Sequence, residues 1–405
     1  MKILKAKIFI FAVLFLFLFF FSNDFGLIDV EKTAIITAIA VDLNDDEYEV
    51  TAQIAVPEAN DTNTENKKAQ ISGSGKTVGA AIKNLGNTSG WYPKLEFCNL
   101  IIFGNKFKDT NIIKVLDYFT KTLRIQDSAT PVLAEKKAKD ILSAATPLDN
   151  ISSFALQKVL FKSPGFDRDV FETDIRRFSS GYYSISSSSM MPLVKIVNQE
   201  DNENGSSSGG ASGSESGSGG GKESSGGSKN GHSLFDARTT MLFKDGFVTG
   251  ELNVQETFTL NMLYANYSGS TISLQNVKSA DDDAHNYLLT VKQCTPKVWL
   301  NTKDDKLVLE IRLDVYCKIS DQNASASDST YSKNPPLPQA VKEKAEALLK
   351  ENIENLVQKE KIYGCDFLKI KEKLYRYNNK QYSKFKDNFA DKFTADITVS
   401  VSGQK

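Results

Sequence analysis

The stretch Leu307-Val308-Leu309-Glu310-Ile311-Arg312-Leu313-Asp314-Val315-Tyr316-Cys317-Lys318-Ile319 alternates without a break. Its odd positions are aliphatic or cysteine, and its even positions are mostly charged. Successive side chains of a strand point to opposite faces, so alternation of this length specifies a sheet with one buried and one wet face. Residues 286–300 precede the turn Lys303-Asp304-Asp305-Lys306, and the two runs form a long hairpin. Downstream, Pro335-Pro336-Leu337-Pro338 launches a helix. Its core stripe is Val341, Ala345, Leu348, Leu349, Asn352, Ile353, Leu356 and Val357, with Lys and Glu on the opposite face. Gly364 is a natural stop after Tyr363. Phe367, Leu368, Leu374 and Tyr375 fall on a further helical stretch, and Phe393, Ala395, Ile397, Val399 and Val401 alternate as a last strand. This predicts an antiparallel sheet under a long helix for the C-terminal domain.

Working upstream, residues 239–243 and 247–252 flank the hairpin signal Lys244-Asp245-Gly246, and Asn253 with Glu256 makes a capping box for a helix to about Ala265. Residues 199–234 collapse to Gly, Ser, Asn and Glu, a composition with nothing to bury, and read as a flexible linker. Ahead of it strands and helices alternate. A hairpin joins 34–42 to 48–56 through Asn44-Asp45-Asp46, and a short strand covers 69–72. Helices are expected at 78–85 (capped by Thr77), 112–122, 136–144 and 154–161, and further strands at 96–103 (stopped by Gly104), 130–134 and 191–197. The fold class is therefore α+β. Two mixed sheet-and-helix domains, 27–198 and 235–405, flank the linker and lie behind an N-terminal membrane segment, 1–26.

In that segment Lys2, Lys5 and Lys7 precede an unbroken apolar run that opens at Ile8 and closes at Phe21. Basic residues before a block that water cannot solvate keep the N-terminus inside and place the rest of the chain outside the membrane. At about 1.5 Å per residue the run covers roughly 21 Å, short of the roughly 30 Å hydrocarbon core, which suits a signal peptide. The exit through Phe20, Phe21, Ser22, Asn23 and Asp24 lacks a small-residue cleavage site, which suits an uncleaved anchor. Both endings stay open. No cysteine precedes Cys98, so a lipid-bearing N-terminal cysteine is excluded.

Charge is nearly balanced at −1, which argues against a nucleic-acid partner. There are two histidines, His232 and His285, so histidine-based acid–base or metal chemistry is poorly supplied. Ser72-Gly73-Ser74-Gly75-Lys76-Thr77 follows a strand and opens a helix, where a phosphate loop would sit, but the required first glycine is Gln70. It reads as a glycine-rich turn with Thr77 as N-cap, and no nucleotide is expected. Asp281-Asp282-Asp283 with His285 reads as a solvated loop, not a metal site. Cys294 and Cys317 fall on one face of the long hairpin, diagonal to each other; a bulge near Thr295-Pro296 would align them as a disulfide, and the alternative is two buried small hydrophobes. No catalytic, metal or cofactor constellation is found, so the chain is expected not to be an enzyme and to need no cofactor.

The order of these pieces resembles the Ger(x)C family, the C subunit of spore nutrient germinant receptors. Lys32-Thr33-Ala34-Ile35-Ile36-Thr37-Ala38-Ile39-Ala40-Val41-Asp42 and Tyr48-Glu49-Val50-Thr51-Ala52-Gln53-Ile54 are similar to its opening hairpin. Gly75-Lys76-Thr77-Val78 with Ala80-Ala81-Ile82 is similar to a glycine–threonine helix start, and Leu100-Ile101-Ile102-Phe103-Gly104 with Leu116-Asp117-Tyr118 continues in order. Phe243-Lys244-Asp245-Gly246-Phe247-Val248-Thr249-Gly250-Glu251-Leu252 resembles the start of its C-terminal domain, and Cys365-Asp366-Phe367, Tyr375-Arg376, Phe385 and Phe389 resemble its end. The resemblance implies a non-enzymatic protein on the outer face of the inner spore membrane, needed for nutrient-triggered germination. Its implied partners are a polytopic permease-like subunit and a second membrane subunit. The chain departs from the family at three places: its lipid-bearing cysteine falls at about Asp24, a glycine usual three residues after Asp366 is Lys369, and a tryptophan usual near Phe385 is absent. The competing reading is a generic exported small-ligand-binding protein unrelated to germination.

Overall fold

The computed structural model describes residues 2–21, 33–55, 69–121, 125–149, 151–161, 169–198, 233–264, 268–278, 285–303, 306–323, 336–386 and 393–403. The first element, α1 (Lys2–Phe21), is a helix of 20 residues, with exposed side chains from Lys7 to Phe17. Among the described residues no helix is long and apolar enough to cross a membrane. The membrane segment expected at 1–26 is thus carried by the sequence pattern and not by the structure.

The folded part opens on β1 (Thr33–Asn44) and β2 (Glu47–Ile54), the expected antiparallel hairpin, closed at Asn44 opposite Glu47. β3 (Ala69–Gly75) pairs antiparallel with β2. Thr77 then caps α2 (Val78–Ser89), its hydroxyl accepting from the Ala80 N–H at 3.1 Å. β4 (Tyr92–Lys94) and β5 (Leu100–Phe103) run parallel to β1. The strand expected over 96–103 is shorter because residues 96–97 turn between these two pieces. Then come α3 (Ile113–Lys121), β6 (Thr130–Ala134), α4 (Ala138–Ser143), α5 (Ser152–Leu160), α6 (Ile175–Tyr182) and β7 (Ser188–Asn198).

The strands β8 (Ser233–Lys244) and β9 (Phe247–Leu252), expected to open the second domain, belong to this first sheet, whose order is β3-β2-β1-β5-β6-β7-β8-β9 with β4 beside β1. β7 pairs antiparallel with β8 from Asn198 opposite Ser233 to Ser188 opposite Lys244. Residues 199–232 lie outside the described residues, but the strands on either side of them are hydrogen-bonded neighbours. The segment therefore connects two paired strands within one sheet, and hydrogen bonding crosses the division expected at 199–234. The reason is local: β7 had an open edge, and a returning strand satisfies its N–H and C=O groups.

Both faces of the first sheet are covered, which explains the near-continuous apolar runs in β1, β5 and β6. Ile39, Ile101, Phe103 and Leu133 pack with α2, α3 and α6 on one side; Ala38, Ala40, Leu100, Ile102 and Val132 pack with α4 and α5 on the other. Gly104 ends β5 where it must: a Cβ there would lie 2.1 Å from Asp42 Oδ1. Asp42, buried, spends its carboxylate on the N–H groups of Ala138 (2.8 Å) and Lys139 (2.9 Å), capping α4, and burial raises its pKa.

The second unit comprises α7 (Val254–Tyr264), β10 (Thr271–Val277), β11 (His285–Lys303), β12 (Lys306–Asn323), α8 (Gln339–Tyr363), α9 (Ile370–Tyr377), α10 (Asn379–Phe385) and β13 (Phe393–Gly403). The capping box forms as expected, with the Asn253 N–H on Glu256 Oε2 at 2.8 Å and the Glu256 N–H on Asn253 Oδ1 at 2.9 Å. The sheet order is β10-β11-β12-β13. Leu307, Leu309, Ile311, Leu313, Val315 and Cys317 of β12 are buried against Val341, Ala345, Leu349, Ile353 and Leu356 of α8, as the alternation requires. One expectation fails: the sheet is mixed, since β13 runs parallel to β12 from Phe393 opposite Leu307 to Gly403 opposite Cys317. The long α8 returns the chain to the start of β12, and such a crossover makes the next strand parallel.

Candidate functional site

A buried polar cluster joins the two units where α8 ends. Leu356, Val357 and Glu360 are three buried residues in the last turns of α8, so an acid continues the apolar stripe. Gly364 then ends the helix in the left-handed region at φ 60°, and the chain turns through Cys365 and Asp366 into α9. The turn is docked on the first sheet. Cys365 Sγ donates to the Phe243 carbonyl of β8 at 3.4 Å, and the Asp366 N–H donates to Ser188 Oγ of β7 at 3.0 Å. A Cβ on Gly250 of β9 would meet the Tyr363 ring at 2.6 Å, so only glycine permits this approach of β9 to α8. Lys359 Nζ binds Glu256 Oε2 at 2.7 Å and the Glu251 carbonyl at 3.0 Å.

Asp366 and Glu360 form a buried acid pair. Asp366 accepts from the N–H groups of Ile370 (2.5 Å), Lys371 (3.1 Å) and Glu372 (3.1 Å), which caps α9. Glu360 Oε2 accepts from the Leu368 N–H at 2.9 Å, while Oε1 meets no donor among the described residues. Burial first, and the charge of Asp366 second, hold the Glu360 pKa well above the ordinary range; burial also raises Asp366. Two adjacent buried carboxyls cannot both ionise at low cost, so the pair holds a proton more tightly than an isolated carboxyl does. Lys373, itself shifted down by burial, donates to the Val298 carbonyl at 3.2 Å on the far side. Lys369 initiates α9 with φ 56°, the left-handed region. The resemblance expects glycine at this position, and glycine is the residue that adopts that backbone without strain.

Beside this turn lies a cleft of about 490 Å³ lined in part by Arg176 and Arg177 of α6, Asn261 and Tyr264 of α7, and Lys369 and Glu372. The Tyr264 hydroxyl donates to the Phe367 carbonyl, and Asn261 Nδ2 donates to the Val170 carbonyl at 3.1 Å, so the walls are tied to each other.

The residues singled out from sequence are placed as follows. Lys7 and Ile8 are exposed on α1, and Lys2, Lys5 and Phe21 lie on the same helix. Cys294 and Cys317 are buried free thiols. The ladder of their hairpin shifts register twice, between Leu288 and Leu289 and at Lys292, neither time at Thr295-Pro296; Cys294 lies opposite Val315 and Cys317 opposite Val291, so the pair stays diagonal. Burial pushes both thiols up to about 12, away from nucleophilic use. In the glycine turn, a Cβ on Gly73 would meet the Ala81 carbonyl oxygen at 2.4 Å and one on Gly75 the Ala81 nitrogen at 2.7 Å, so these glycines let α2 press onto β3. Asp281-Asp282-Asp283 lies outside the described residues; His285 is buried in β11 against the Tyr287 ring, with centroids 6.5 Å apart. Among the described residues no group of three or more His, Cys, Asp or Glu could hold a metal. Sequence reading missed the Glu360–Asp366 pair, whose one signal was the acid at the apolar-stripe position after Val357.

Fold and site together define a protein of two sheet-and-helix units fused through shared strands and a buried hydrogen-bonded turn. The chain belongs to the Ger(x)C family of spore germination proteins. Residues 27–196 match the family described as "Spore germination protein N-terminal domain", and residues 238–404 match "Spore germination B3/ GerAC like, C-terminal". Among solved structures it is similar to the crystal structure of the GerBC protein, at 15% identity and TM-score 0.51, over 93% of this chain and 100% of that one. At that identity the likeness speaks for the fold. Among curated proteins none matches the chain.

Proposed function

We propose that the chain is a non-enzymatic, membrane-anchored, extracytoplasmic subunit of a spore germinant receptor. It acts by assembly: it docks on a polytopic permease-like subunit and a second membrane subunit at the outer surface of the inner spore membrane and holds them in a signalling-competent state. The observation that carries this is the pair of family matches, which between them cover both folded units in the family's order. Two features support it. The basic-then-apolar N-terminus suits a tether, which raises the effective concentration of the folded units near a membrane partner. At the junction Asp366 spends its carboxylate on backbone N–H groups, capping α9.

The test is crosslinking and co-purification of the tagged full chain from dormant-spore membranes. The two membrane subunits should come down with it, and its deletion should impair germination by at least one nutrient. Recovery of the chain alone, with germination by every nutrient unaltered, sinks the proposal. The cleft of about 490 Å³ favours a second reading, a binding protein for a small charged molecule, since it falls in the usual size range of ligand pockets, roughly 300–1,000 Å³. That reading takes over if the assembly test fails and a small molecule co-purifies stoichiometrically.

A further inference from the structure

The apolar surface at the start of β1 has no role in either core. Ile35 is 41% exposed, Trp91 46%, Tyr92 52% and Phe97 52%. Tyr92 and Ile35 come together because β4 pairs parallel with the first residues of β1, setting Tyr92 beside Thr33 and Lys94 beside Ile35. Paired residues point to one side of a sheet, so Tyr92 and Ile35 share a face, Trp91 precedes β4 and Phe97 lies in the turn after it. Thr37, two residues further along β1, has its hydroxyl 3.1 Å from that of Ser153 at the start of α5, and the next residue, Phe154, is also exposed. Large apolar side chains, aromatic except for Ile35, thus gather at one end of the first sheet. A clustered patch of this kind marks an interaction surface, whereas single exposed apolar residues do not.

What covers it follows from where the chain goes. Thr33, the first residue of β1, is 12 residues after Phe21, the end of the apolar helix. Full extension at roughly 3.3–3.6 Å per residue holds it within roughly 40 Å of that end, whatever path the chain takes between. The patch therefore sits on the strand end tied to the apolar segment, whereas the β9 edge and the second sheet lie further along the fold. Its composition also suits lipid. Tryptophan and tyrosine have an apolar body and a polar tip and concentrate at the membrane–water interface, with phenylalanine and isoleucine reaching below them. We infer that Ile35, Trp91, Tyr92, Phe97 and Phe154 form a seat that lies on the bilayer surface and fixes the orientation of the first unit over the membrane. The inference rests on the anchored reading of the N-terminus given above.

The chain has two tryptophans, which makes the test direct. Trp299 lies in the second sheet, its indole N–H on Glu310 Oε2 at 2.6 Å, away from the patch. The full chain is reconstituted into phosphatidylcholine vesicles with brominated acyl chains and purified by flotation. In Trp299→Phe, where Trp91 is the sole reporter, bromine should quench emission at least about twofold more than in Trp91→Phe, where Trp299 reports. The unsubstituted chain, carrying both, should give an intermediate value and serves if either variant folds poorly. Protein that floats with the vesicles but shows equal, weak quenching of both tryptophans overturns the seat while leaving the anchor standing, and leaves the patch to a protein partner. Protein that does not float overturns the anchored reading and the seat with it.

Discussion

Glu360→Gln tests whether a proton is stored at the junction. In the folded chain burial, and then the Asp366 charge, raise the Glu360 pKa well above 4.5, its ordinary value. Between that ordinary value and the raised one the folded state binds one proton more than the unfolded state. Stability must therefore fall as pH rises, by up to about 1.4 kcal/mol per pH unit. The contribution is fully present below the ordinary glutamate pKa and is lost as pH climbs through the raised folded one. Asp366, raised by burial as well, works in the same direction, so the titration belongs to the pair. The substituted glutamine stays neutral at every pH, can accept from the Leu368 N–H as Glu360 does at 2.9 Å, and can donate its amide to Asp366. The assay is urea denaturation of both chains from about pH 5 to about pH 8, read as the difference between the two stability curves. That difference should move in favour of the glutamine variant as pH rises, with a slope approaching 1.4 kcal/mol per unit where Glu360 titrates, a ceiling of about that size for one proton. A flat difference across the range would refute the stored proton.

Lys369→Gly relieves a left-handed backbone at φ 56° and should stabilise the chain by about 1 kcal/mol, less what is lost with the Lys369 Nζ placed 5.6 Å from the Tyr264 ring centroid; Lys369→Ala, equally strained, should show no gain in the same denaturation series. Gly73→Ala drives a methyl into the Ala81 carbonyl and Leu85 nitrogen, 2.4 and 2.6 Å away, and should cost about 1–3 kcal/mol; a neutral melting temperature would show that α2 does not press on β3. Removing residues 205–227 should leave the urea midpoint nearly unchanged, because closure cost varies only with the logarithm of loop length and Asn198 already faces Ser233; a loss of several kcal/mol would show that the segment packs.

The sequence was most legible where one physical constraint repeats. The alternation of Leu307 through Ile319 fixed the buried face of β12, and the stripe from Val341 to Val357 fixed that of α8. Capping was equally readable, since Thr77 and the Asn253–Glu256 box act within three residues. What failed was non-local. Nothing within 233–252 says which edge it will join, and β8 chose β7 of the preceding unit. The parallel sense of β13 depended on where α8 delivered the chain. The helix α6 was missed because Ser179, Ser180 and Gly181 dilute a face that buries only Ile175 and Phe178. The site was the least legible part. Glu360 and Asp366 meet only because Gly364 reverses the chain, and a titrating pair separated by a turn has no periodic signature.

The strands β7, β8 and β9 carry two cores at once. Met191, Leu193, Met241 and Phe243 face the first core, while Met190, Leu242 and Leu252 face the second. A torque applied to the second sheet is thus borne by the same ladder that shapes the first, in shear across its hydrogen bonds. Through these strands the halves are joined without a soft axle. A displacement of the second unit is therefore passed to the first through strands that both cores share.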